Sequence, residues 1–124
     1  VDRLVAETEK LGIGDPTRRD VFLGPVINRN SYQDYKTYCE ELSQSGRFLT
    51  GGKVLAQGDL AKGFFCQPTL VGDLPLNHRL WKHEMFLPIL TVARTRDNAD
   101  AMALANGTDF GLTAGFCVST WIWS

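Results

Sequence analysis

Three stretches of this chain carry apolar side chains at helical spacing, and this pattern limits its fold more than any other feature. The stretches cover residues 1–11, about 31–46 and 97–106. Asn30 or Ser31 is expected to cap the second one, and glycines follow all three. The sequence therefore predicts three helices, each too short to be stable without packing against other elements.

Short apolar runs between and after these stretches predict strands. The predicted strands cover residues 47–49, 53–56, 63–71, 87–94 and 112–118. Gly51-Gly52 is expected to form a tight turn between the first two, and Pro68 interrupts the third. Because strands alternate with helices, we expect an α/β fold with a largely parallel sheet and flanking helices.

Composition excludes several classes of function. The 124 residues suffice for one domain, and a formal net charge of -1 without a basic stripe gives no support for nucleic-acid binding. No apolar stretch approaches the roughly 18 residues that a membrane span needs. The three cysteines, Cys39, Cys66 and Cys117, form no C-x-x-C pair, and the histidines have no cysteine partner nearby. We therefore expect no disulfide framework, no metal site and a location in the reducing cytoplasm.

The segment from His83 to Ile89 contains the best candidate for a binding site. Glu84 and Phe86 lie two residues apart, and Pro88 restricts the backbone that follows. A carboxylate accepts hydrogen bonds from hydroxyl groups, so this arrangement suits a loop that holds the ribose of a nucleotide cofactor. The plainer alternatives are a surface glutamate at the end of a short helix and a core phenylalanine.

The cysteines are more simply interpreted as packing residues than as nucleophiles. Cys39 lies on the apolar side of a predicted helix, whereas Cys66 and Cys117 lie in apolar, strand-like runs. A buried thiol has a raised pKa and stays inert, so no catalytic residue is expected among them. Asn106 is likewise expected to end its helix rather than to contact substrate.

Five groups of segments, in order along the chain, resemble the later part of the catalytic domain of the aldehyde dehydrogenase superfamily. They are residues 14–16 with 23–27, 51–52, 63–70, 84–88, and 104–106 with 110–115. Lys53, the loop around Gly58 and Lys82-His83 favour 1-pyrroline-5-carboxylate dehydrogenase-like members. We therefore expect residues 1–119 to be part of that catalytic domain and residues 120–124 to be an atypical tail.

The resemblance implies oxidation of an aldehyde, such as glutamate semialdehyde, to a carboxylic acid with NAD or NADP as cofactor. Glu84 would bind the nicotinamide-ribose hydroxyls, and Phe86 would pack beside the ribose and the nicotinamide. Leu87 stands where the family usually has glycine, so we expect the backbone conformation of this loop to differ from that of the family.

The family carries its catalytic cysteine, glutamate and asparagine before the segments that match here. We therefore expect this chain alone to be inactive, and the intact enzyme to be a homo-oligomer that binds a small aldehyde. The alternative is a non-catalytic assembly module that retains the fold.

Overall fold

The computed structural model describes residues 1–115 of the chain. They fall into two compact units, Val1–Arg94 and Thr95–Ser124, the second described as far as Gly115. The helices are α1 (Asp2–Glu9), α2 (Arg29–Ser45) and α3 (Asn98–Ala105), and the strands are β1 (Arg47–Thr50), β2 (Val54–Leu55), β3 (Phe65–Cys66), β4 (Thr69–Gly72) and β5 (Ile89–Thr91). Single 3₁₀ turns lie at Gly58–Lys62 and Arg79–Trp81. None of the helices within residues 1–115 is long and apolar enough to cross a membrane.

Helix α2 confirms the predicted apolar face but begins earlier than predicted. The Asn28 side chain accepts a hydrogen bond of 2.9 Å from the Ser31 backbone N–H, so Asn28 is the N-cap and the expected cap residues lie inside the helix. The buried side chains of the helix are those of Tyr35, Cys39 and Leu42, at the i, i+4 and i+7 spacing of one face. This face covers both small sheets and so forms the centre of the core.

Helix α3 lies in the second unit and agrees with its predicted bounds. The Asp97 carboxylate accepts a 2.8 Å hydrogen bond from the Asp100 backbone N–H and so caps the helix. No residue of α3 is buried. The strand predicted at residues 112–118 is not formed over residues 112–115, and its remainder, with Cys117, lies outside the described residues.

The expectation of a largely parallel sheet is not confirmed. In the described residues, β1, β4 and β5 form one sheet in the order β1-β4-β5, and β2 pairs with β3 in a second. Only β4 and β5 are parallel; β1–β4 and β2–β3 are antiparallel. The physical reason is that only a short 3₁₀ turn separates β2 from β3, whereas a parallel pair needs a longer crossover, usually a helix.

The glycine pair carries the chain from one sheet to the other and does not close a hairpin. Gly51 and Gly52 adopt φ angles of 81° and 85°, a left-handed conformation that suits glycine. The Gly52 N–H donates a 2.9 Å hydrogen bond to Thr69 Oγ1, which also lies 2.7 Å from the Tyr35 hydroxyl. A buried polar network therefore fixes this bend against α2 and β4.

Two clusters of buried side chains form the core of the first unit. The first consists of Leu42, Val71, Leu74 and Leu80, and the second of Tyr35, Cys39 and Cys66. Both clusters contain side chains of α2, which therefore holds the two sheets together.

Candidate cofactor-binding loop

The loop between the second 3₁₀ turn and β5 presents its side chains in alternate directions. Met85 packs against the first core cluster and Leu87 against the second. Glu84 and Phe86, which alternate with them, are exposed. The loop is therefore fixed by two inward side chains and offers the two predicted site residues to a ligand.

Phe86 is not a core phenylalanine. Its side chain is 83% exposed, and its backbone adopts a φ of 51°. This left-handed conformation costs a bulky residue free energy, and it points to a local constraint. Among the described residues, Leu87 is not one of the positions with positive φ, so the residue that replaces the usual glycine is accommodated without that strain.

Backbone hydrogen bonds fix the end of the loop to the sheet. The Thr69 N–H donates a 2.8 Å hydrogen bond to the Pro88 carbonyl, and the Ile89 N–H donates one of 2.7 Å to the Leu87 carbonyl. Thr69 is also part of the buried network with Tyr35. The position of the loop thus depends on α2 through β4.

The Glu84 carboxylate is available to an external donor. Within residues 1–115, no hydrogen bond or ion pair involves its side chain, and the residue is exposed. An ionised carboxylate accepts several hydrogen bonds and donates none, which fits the vicinal hydroxyls of a ribose. The exposed Phe86 ring two residues away supplies an apolar surface for a planar heterocycle.

The start of the loop is held by a side-chain contact that the sequence did not suggest. The Tyr38 hydroxyl lies 2.8 Å from His83 Nε2, although the two residues are 45 positions apart. No local pattern links them, so only the folded chain reveals the pair. By contrast, Glu84 and Phe86 lie two residues apart, so their placement in one loop was visible in the sequence.

The described cysteines have the properties of packing residues. Cys39 and Cys66 are buried, and burial raises the pKa of both thiols, that of Cys66 to about 11. At neutral pH both are therefore protonated and poor nucleophiles.

Within residues 1–115, no group of three or more His, Cys, Asp or Glu side chains is arranged to hold a metal ion. Asn106 is the C-cap of α3, and its N–H donates to the Met102 carbonyl.

The chain is similar to known proteins of one family. Residues 1–120 match the aldehyde dehydrogenase family. The chain is 42% identical over 113 residues to 1-pyrroline-5-carboxylate dehydrogenase of Geobacillus kaustophilus, covering 91% of this chain and 21% of that protein. The enzyme of the same name from Bacillus subtilis is 38% identical over the same share of this chain. The chain thus spans about a fifth of the length of these relatives.

Solved structures agree with the sequence comparison. The Thermus 1-pyrroline-5-carboxylate dehydrogenase with bound NAD aligns with a TM-score of 0.80 at 33% identity, over 90% of this chain and 20% of that one. Betaine aldehyde dehydrogenase of Staphylococcus aureus in complex with NAD⁺ aligns with a TM-score of 0.82 at 26% identity, over 90% and 22% of the two chains. On both the sequence and the fold, this chain belongs to the aldehyde dehydrogenase family.

Proposed function

We propose that residues 84–88 form the nicotinamide-ribose part of the NAD site in an aldehyde dehydrogenase of the 1-pyrroline-5-carboxylate dehydrogenase type. The observation that carries this proposal is the outward projection of Glu84 and Phe86 from a loop whose intervening side chains are packed into the core. Two structural relatives, the Thermus and Staphylococcus aureus enzymes, are described with bound NAD, which favours NAD over NADP.

In the intact enzyme the proposed reaction is oxidation of an aldehyde, glutamate semialdehyde in particular, to its carboxylic acid. When bound, NAD would supply the oxidant, as the acceptor of a hydride. Glu84 would accept hydrogen bonds from the two ribose hydroxyls and so fix the position of the adjoining nicotinamide. The Phe86 ring would limit where that nicotinamide can move.

These residues supply binding and orientation, not the nucleophile. The thiols of Cys39 and Cys66 are buried and protonated, so neither can attack an aldehyde. We propose that the isolated chain has no dehydrogenase activity, and that it belongs in a reducing compartment, the cytoplasm, where these thiols stay reduced.

Titration of the chain with NAD tests the binding role. We expect Glu84→Gln to weaken NAD binding by about tenfold, because a hydrogen bond to a charged acceptor is lost. Glu40→Gln is the matched control: Glu40 is an exposed glutamate on α2 away from the loop and should leave the affinity unchanged. Equal affinities of the two variants would contradict the assignment of Glu84. Production of NADH from aldehydes by the isolated chain would contradict the absence of catalysis.

An assembly role is the second candidate, favoured by exposed apolar surface on the first unit. Phe22 and Ile27 are 77% and 89% exposed, and Leu90 lies on β5, which is an edge strand of its sheet in the described residues. Apolar side chains beside an open strand edge favour association. Light scattering at several concentrations would support this role if the mass rises with concentration, and a constant monomeric mass would contradict it.

A further inference from the structure

We propose that Tyr38 positions the cofactor loop through its hydrogen bond to His83, the residue immediately before Glu84. This inference rests on the proposed role of Glu84 in binding NAD. Tyr38 contacts neither the cofactor nor the substrate in this proposal; it acts through His83. The Tyr38 hydroxyl lies 2.8 Å from His83 Nε2, and the centres of the two rings are 5.6 Å apart.

Tyr38 is well suited to this role because its two ends have different environments. Its ring is half-buried and packs against the first core cluster, which fixes the side chain relative to α2. Its hydroxyl reaches out of the core to an exposed histidine. A hydrogen bond between a fixed side chain and an exposed loop restricts the loop more than a bond between two mobile side chains would.

Charged groups around Tyr38 hold the neighbouring elements together. The Arg79 guanidinium lies 5.7 Å from the centre of the Tyr38 ring, at the distance of a cation–π contact. The same guanidinium forms a two-pronged ion pair with Glu41, whose Oε1 also lies 3.5 Å from His78 Nε2. The second 3₁₀ turn is thus joined to α2, and the loop that follows starts from a fixed point.

The loop is consequently held at three successive alternate positions. His83 is bonded to α2, Met85 packs against the first core cluster, and Leu87 packs against the second. Glu84 lies between the first two of these, and Phe86 between the last two. Loss of the Tyr38–His83 hydrogen bond would leave the backbone before Glu84 unrestrained, while the packing of Met85 and Leu87 against the core remains. The expected result is a lower affinity for the ribose of NAD without loss of the fold.

The substitution Tyr38→Phe tests the proposal because it removes only the hydroxyl. We expect the backbone amides of residues 84–87 to become more mobile in NMR relaxation, the His83 ring nitrogen signals to shift, and NAD affinity to fall about fivefold. Tyr32→Phe is the matched control, since Tyr32 lies on the same helix but packs against Phe64 and not the loop. Unchanged amide mobility in Tyr38→Phe would overturn the proposal.

Variants of the partner residue separate a hydrogen bond from mere packing. His83→Gln retains both a donor and an acceptor that can pair with the tyrosine hydroxyl and should behave close to the natural chain, whereas His83→Ala should reproduce Tyr38→Phe. If both His83 variants loosen the loop equally, the hydrogen bond is not the cause and the proposal fails.

The proposed function and this inference fail in different ways. If Glu84→Gln and Glu40→Gln bind NAD equally well but Tyr38→Phe still loosens residues 84–87, the proposed function fails while the role of Tyr38 in positioning the loop stands. If the natural chain and Tyr38→Phe bind NAD equally well, the proposed function stands and the positioning role fails.

Discussion

At Phe86 the backbone adopts a left-handed φ of 51° although the ring is 83% exposed and gains little from burial. Asparagine tolerates this conformation better than a bulky aromatic residue does. We therefore expect Phe86→Asn to raise the free energy of unfolding by about 0.5–1 kcal/mol while it weakens NAD binding. Urea unfolding and NAD titration of the same variant measure the two effects.

The control for this substitution is Phe22→Asn. Phe22 is similarly exposed, at 77%, but is not among the described residues with positive φ. The same change of side chain at Phe22 should therefore give no gain in stability. A similar gain in both variants would mean that removal of exposed aromatic surface, and not relief of backbone strain, is the cause.

The sequence could single out Glu84 and Phe86 as candidate site residues because their signal is local. Glu84 and Phe86 lie within one short loop, and the residues that orient them, Met85 and Leu87, alternate with them. The contact between Tyr38 and His83 was not accessible, because it joins residues 45 positions apart on different elements. Its existence depends on how the second 3₁₀ turn packs against α2.

At the scale of elements, the residue that caps the start of α2 differs from the one expected from the sequence. The Asn28 side chain accepts the Ser31 N–H bond, whereas Asn30 lies inside the helix. We expect Asn28→Ala to lower the free energy of unfolding by about 1 kcal/mol through loss of the cap. Asn30→Ala should be neutral or slightly stabilising, because alanine is the better helix former.

Urea unfolding monitored by circular dichroism compares the two asparagine variants directly. A larger loss in Asn30→Ala than in Asn28→Ala would contradict the observed cap. The two residues are only two positions apart and both are exposed, so differences in burial do not complicate the comparison.

Strand pairing was harder to predict than the elements themselves. Local patterns placed segments near all five observed strands, but Gly51-Gly52 resembled a hairpin turn and the alternation of elements suggested parallel pairing. In the structure β1 does not pair with β2, the strand that follows the two glycines. Instead β1 pairs with β4, and β2 pairs with β3. The Tyr35–Thr69 hydrogen bond and packing on α2 connect these strands in the fold, and neither contact leaves a local pattern in the sequence.

At the scale of the whole molecule, burial of ionisable groups links stability to pH. Burial raises the pKa of the Cys39 thiol, and that of Cys66 from its ordinary value of 9.0 to about 11. The same cause raises the pKa of the Tyr35 hydroxyl, which lies in the same cluster. All three groups lose their protons more readily in the unfolded chain than in the folded one.

We therefore expect the contribution of this cluster to stability to be constant well below pH 9 and to fall as the pH rises towards about 11, because in this range the unfolded chain releases thiol protons that the folded chain retains. Cys66 alone should contribute a loss on the order of 2 kcal/mol over this window. Urea unfolding at about pH 8 and about pH 10.5 measures the loss. Cys66→Ala will lower stability at both pH values by leaving a cavity, but the difference between them should shrink because one titrating group is gone. An undiminished difference in Cys66→Ala would mean that alkaline unfolding originates elsewhere than in the buried cluster of Tyr35, Cys39 and Cys66.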